Sequence, residues 1–189
     1  IVARSPLETG RKQKGLSTLS GSRRKRKAED AIGSIEKITT VFDMVDNELA
    51  VIEQALGDTK LAKRVLKIKR EKYPNATLPE LVCIDWLVRR DIEHMFQVGL
   101  LGGRLYKGGI VPDLIVYLGN SAIVWAVQGN YWHQRPGMEQ RDLAARRLLM
   151  GLNVYGHTIT AVVEVWERRI LEDADKVCAS ALMGIEEGP

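Results

Sequence analysis

The sequence predicts an α/β domain with a mixed sheet, preceded by a helical hairpin and a basic arm. Short apolar runs of strand type, "LIVYL" (114–118), "AIVWAV" (122–127) and "TITAVVEVW" (158–166), supply the sheet. Stretches with apolar residues every three to four positions precede, separate and follow them, and these supply the helices. Positive charge gathered at the N-terminus sets the arm apart from both.

The chain has 189 residues, enough for one ordinary domain with an extension, and its 45% hydrophobic and 28% charged residues are globular values. Its apolar runs fall well short of the roughly 18–20 residues that cross a bilayer, so no membrane partner is expected. It begins Ile-Val-Ala without a signal-peptide pattern, and the native start is expected upstream. Cys83 and Cys178 sit in apolar helical patterns, not in a Cys-x-x-Cys, and read as buried free thiols of a reducing compartment.

The net charge of +4 is unevenly placed. Residues 1–30 hold nine Lys/Arg against three Asp/Glu, whereas residues 73–189 hold eleven against fourteen. The arm (1–30) has few large apolar side chains and carries "RRKRK", Arg23, Arg24, Lys25, Arg26 and Lys27. Alone it is expected to be intrinsically flexible. The run suits a phosphate backbone, a nuclear localisation signal or a solubilising tail. Such an arm orders against something else, so nucleic acid and other protein subunits are its expected partners.

Residues 31–76 are expected to form a helical hairpin. Ile35, Ile38, Val41, Phe42, Val45, Leu49, Ile52 and Leu56 predict a helix over 34–56, which "GD" at 57–58 breaks. A second helix, about 59–72, sets Leu61, Val65, Leu66 and Ile68 among seven Lys/Arg, leaving one face solvated or in contact with phosphate. "YPNATLP" links to the main domain, 77–189. There Thr77 and Glu80 have capping-box spacing and Pro79 opens a helix reaching about His94. The glycine-rich "GLLGGRLYKGGIVPD" lacks phosphate-loop spacing and reads as a hairpin or twisted strand pair. "GNS" turns between the next two strands. Helices over 138–150 and about 168–183 flank the last one.

"PD" at 112–113 before one strand, then a hairpin to a second strand ending in "GNYWH" (129–133), resembles the PD-(D/E)XK nuclease superfamily. Within it the branch of the very-short-patch-repair mismatch endonuclease is most similar. "PELVCIDWL" resembles the first helix of that family, with Glu80 at its acidic position; "RD" at 141–142 and "VWE" at 165–167 agree in order, so the likeness spans about 78–183. The resemblance implies a restriction-endonuclease-like mixed sheet flanked by helices. It also implies metal-dependent phosphodiester hydrolysis with Mg²⁺ or Mn²⁺, on DNA in preference to RNA.

By that resemblance Asp113 is a metal ligand, and His133 a ligand or a general acid/base with a side chain suited to neutral pH. Glu80 and Gln128 join them as catalytic candidates. Tyr131 and Trp132 match the aromatic wedge of the family and would stack on bases. Arg141 would contact a phosphate, beside the basic run 23–27. The sequence departs from the pattern at Gln128-Gly129-Asn130, where the superfamily motif has Asp/Glu-x-Lys; the mismatch-endonuclease branch has histidine at the first position and also lacks the lysine. Amides hold divalent ions less well than carboxylates.

Two functions follow. One is a DNA endonuclease with a degenerate site. The other is a catalytically inactive nuclease-fold component of a large assembly, such as a virion or ribonucleoprotein particle. The expected location is intracellular, cytoplasmic or nucleoid-associated, or inside a virus particle.

Overall fold

The computed structural model describes residues 47–105, 109–129 and 138–188, with 105 and 138–142 as backbone only. The arm and residues 34–46 of the helix expected over 34–56 lie outside the described residues. The chain divides into two units, Ile1–Glu48 and Leu49–Pro189, and the second carries the sheet.

Residues 47–56 are helical (α1). Gly57, at φ +65°, ends that helix, and the carboxylate of Asp58 accepts from the N–H groups of Lys60 and Leu61 to start α2 (Thr59–Glu71). α2 buries Ala62, Val65 and Leu66, while Lys60, Lys63, Lys67 and Arg70 face water. α3 (Leu78–Val88) opens with the expected capping box and is buried from Pro79 to Leu87, so its side chains are apolar nearly all round.

α3 is shorter than expected. It stops at Val88 because Asp91 turns to φ +55° and the N–H of Ile92 returns to the carbonyl of Leu87. His94, read as the end of that helix, begins strand β1 (His94–Phe96). The glycine-rich stretch carries a 3₁₀ turn at Gly103–Leu105 and a single bridge between Leu100 and Ile110. A Cβ on Gly109 would lie 1.9 Å from the Gly103 carbonyl oxygen, a crossing that requires glycine.

β2 (Leu114–Leu118) and β3 (Ser121–Gln128) form a hairpin turned by Gly119-Asn120. α4 (Met138–Leu149) is the crossover to β5 (His157–Trp166), which runs parallel to β3 as such a connection requires. β4 (Asn153–Val154) pairs with the start of β5, and α5 (Glu167–Leu182) closes the unit with a kink at Asp173. The strand order is β1-β2-β3-β5-β4. The fold of the described residues is therefore mixed α/β, with five helices around a mixed five-stranded sheet.

Each sheet face carries its own core. Leu114, Val116, Ile123, Trp125, Val163 and Val165 pack on α2, α3 and α5. Ile115, Tyr117, Val124 and Ile159 pack with Leu149 of α4 and Val154. This alternation is the period-two signature of a sheet covered on both sides. Cys83 and Cys178 are free thiols in the first core, their sulfurs 3.9 Å apart. Among the described residues no helix is long and apolar enough to cross a membrane.

Candidate functional site

The open end of the β2–β3 hairpin gathers three of the residues named from the sequence. Asp113 precedes β2, where Pro112 supplies no N–H to a ladder. Its Oδ2 accepts from the N–H of Val127 at 2.8 Å, so the side chain continues the pairing that the backbone abandons. Glu80 comes from the first turn of α3 and is only 4% exposed. Its Oε2 accepts from both the N–H and the hydroxyl of Thr77, at 2.5 and 2.7 Å.

The carboxyl of Glu80 is near enough to that of Asp113 to act on its charge. Burial drives the Asp113 pKa up to about 6; the Val127 N–H works against that rise and the Glu80 charge adds to it. Gln97 ties the two together. Its N–H donates to the Asp113 carbonyl at 2.9 Å, and its amide Nε2 reaches Glu80 Oε1 at 3.3 Å, with its own backbone at φ +48°.

Gln128 ends β3 and shares with Asp113 a cleft of about 200 Å³ between the sheet and α4. Ala145, Arg146 and Leu149 of α4 form one wall of that cleft, and Glu164 of β5 lines it too. The register places Glu164 beside Ala126, one strand over from the Asp113 end of β2. Arg146 Nη2 bonds Glu164 Oε1 at 3.1 Å and also contacts Glu186.

Asp113 therefore neighbours Glu80 and shares its cleft with Gln128, while Glu80 does not line that cleft. His133, Tyr131, Trp132 and the run Arg23, Arg24, Lys25, Arg26 and Lys27 lie outside the described residues; Arg141 has a described backbone, in the first half of α4, but no described side chain. Gln97, Arg146 and Glu164 were not anticipated. A signal for Glu164 was present in "VVEVW", where alternation sets it on the face opposite Val163 and Val165. Gln97 and Arg146 offered none.

The donor set can be tested against a divalent ion. Among the described residues no three His, Cys, Asp or Glu side chains group as metal ligands. Two close carboxyls and the Gln128 carbonyl oxygen are available, although part of the Glu80 capacity is spent on Thr77. Such a set fits an ion that keeps most of its water and takes one or two carboxylates, as Mg²⁺ does. Two acidic groups forced together in a partly dry site also favour a cation between them. No known protein family, curated protein or solved structure matches the chain.

Proposed function

We propose that residues 77–189 form a PD-(D/E)XK nuclease-like domain that binds DNA and hydrolyses its phosphodiester backbone with Mg²⁺ or Mn²⁺. One observation carries the reading: Asp113, at the start of a strand, interacts with Glu80 of the first helix and shares a cleft with Gln128 at the end of its hairpin partner. Asp113, Glu80 and the Gln128 carbonyl would hold the ion. The ion would polarise the scissile phosphate and lower the pKa of an attacking water.

The rest of the chemistry falls to side chains of this chain. Thr77 and Gln97 fix the orientation of the Glu80 carboxylate, and Val127 fixes that of Asp113, so neither group reorganises when charge develops. His133 would move a proton to or from the reacting oxygens. Tyr131 and Trp132 would stack on bases, and Arg141 with the basic arm would bind phosphates.

A second reading keeps the fold and drops the chemistry: an inactive DNA- or RNA-binding component of a large assembly. The amide at Gln128 and the use of Glu80 Oε2 as a helix cap favour it. Plasmid nicking in Mg²⁺ or Mn²⁺ separates the two. The enzyme reading expects nicking by the wild type and at least a roughly 100-fold loss in Asp113→Ala and His133→Ala, the order of effect of removing a positioned acid or base. Retention of DNA without nicking in either metal would leave the second reading standing.

A further inference from the structure

Resting on the nucleic-acid reading above, we propose that Arg146 and the backbone N–H of Glu164 form a phosphate-binding seat on the wall of the Asp113 cleft, occupied in this structure by the chain's own Glu186.

The donors are already arranged around an anion. A single carboxylate oxygen, Glu186 Oε1, accepts from Arg146 Nη2 and from the N–H of Glu164 at 3.2 Å. A guanidinium and a main-chain amide converging on one anionic oxygen is the donor pattern that proteins use for backbone phosphates. Arg146 belongs to the same cleft as Asp113 and Gln128, so a phosphate seated there would lie beside the carboxylate pair.

The amide is available because of the sheet topology. β4 pairs with β5 only at Asn153–Thr158 and Val154–His157, and Ile159 bonds the backbone of Gly151 and Leu152, which leaves the outer edge of β5 beyond Ile159 without a strand partner among the described residues. The Glu164 carboxylate also contacts the same Arg146 Nη2 at 3.1 Å, which holds the guanidinium beside the seat.

The occupant comes from the segment that follows α5. Gly184, at φ +76°, turns the chain out of α5. Beyond it Glu187 is anchored by Ser180 and Lys176, at 2.8 and 3.0 Å, which delivers Glu186 to the cleft. Arg146 is 30% and Glu186 38% exposed, and ion pairs that wet are weak latches. A polyanion bringing several phosphates can displace this carboxylate, whereas an isolated anion competes poorly with a tethered one.

The test is fluorescence anisotropy of a labelled 20-base-pair DNA duplex with the full chain at low salt. Glu186→Gln is expected to tighten binding roughly tenfold, about the worth of one charge-assisted hydrogen bond. The gain must vanish in an Arg146→Gln background, because a general effect of removing one negative charge would persist there. Arg146→Lys, which keeps the charge and the packing stem, should retain part of the gain and guards against misfolding of the glutamine variant.

Equal tightening with and without Arg146, or none at all, overturns the seat. Competition by inorganic phosphate as strong for the wild type as for Glu186→Gln would also overturn it, since the seat would then not be blocked. Nicking followed on the same samples keeps the two proposals apart. Tightening without nicking retains the seat and removes the hydrolysis; nicking without tightening does the reverse.

Discussion

Asp113 is where the folding and the charge of this domain conflict. Its carboxylate stands in for a missing ladder group by taking the Val127 N–H, yet it does so partly buried and beside Glu80. A carboxyl with its pKa raised from 3.8 to about 6 holds its proton more tightly in the folded than in the unfolded chain. Stability therefore falls as pH rises through the window from about 4 to 6, and the full penalty, about 2–3 kcal/mol, persists above it. Asp113→Asn retains a carbonyl for Val127 and removes the charge. In metal-free buffer this variant is expected to be more stable than the wild type at pH 7.5 and to lose that advantage at pH 4. Urea melts at the two values check it; an equal difference at both would mean that the penalty is not there. A stabilised variant that has also lost nicking would be the usual trade of stability for function at a charged site.

At the scale of elements, carboxylates tie three helices into one layer. Asp85 of α3, 2% exposed, accepts from Arg64 Nε of α2 at 2.8 Å and from Arg89 Nε at 3.0 Å. Asp175 of α5 accepts from Trp86 Nε1 and Arg90 Nη2, each at 2.8 Å, and Arg90 lies 4.0 Å over the Trp86 ring. Burial decides which of these matters. Asp85→Ala strands two guanidinium groups against a buried surface and should cost about 2–3 kcal/mol, below the fully buried range because both arginines reach water. Asp175→Ala, at a carboxylate whose side chain is 67% exposed, should cost under about 1 kcal/mol. Chemical denaturation of the two variants tests the ranking, and a larger loss at Asp175 would refute it. Since Glu80 sits one turn before Asp85 on the same helix, the network also holds the site in place.

Over the whole molecule the charge is divided: the arm holds nine Lys/Arg against three Asp/Glu, and residues 73–189 hold eleven against fourteen. A slightly acidic domain repels DNA, so on the proposed nucleic-acid function phosphate affinity is expected to come from the arm and from the row Lys60, Lys63, Lys67 and Arg70 on α2. Deleting residues 1–30 should weaken duplex binding and flatten the dependence of log K on log salt, by about 0.9 for each phosphate that the arm neutralises. Anisotropy titrations between about 50 and 200 mM salt measure that slope, and an unchanged slope would take the arm out of the interface.

Much of this arrangement was legible in the sequence because it rests on local rules. Short apolar runs marked the strands of the β2–β3 hairpin and β5, and S/T-x-x-E spacing marked the start of α3 with Glu80 in its cap. Proline before Asp113 marked a strand entrance. The end of α3 was not legible, since a left-handed Asp91 depends on what the next strand must reach. Nor was the company that Asp113 keeps. Gln97, Arg146, Glu164 and Glu186 are brought to it by strand register, the α4 crossover and the returning C-terminus. By itself the sequence determined the helices and the three longer strands, though not β1 or β4, and which acidic groups stand at their ends, because those depend on neighbours a few residues apart. The tertiary structure alone decided which charges meet, because that depends on pairings between residues far apart in the chain, 40 positions for Arg146 and Glu186 and 85 for Arg90 and Asp175.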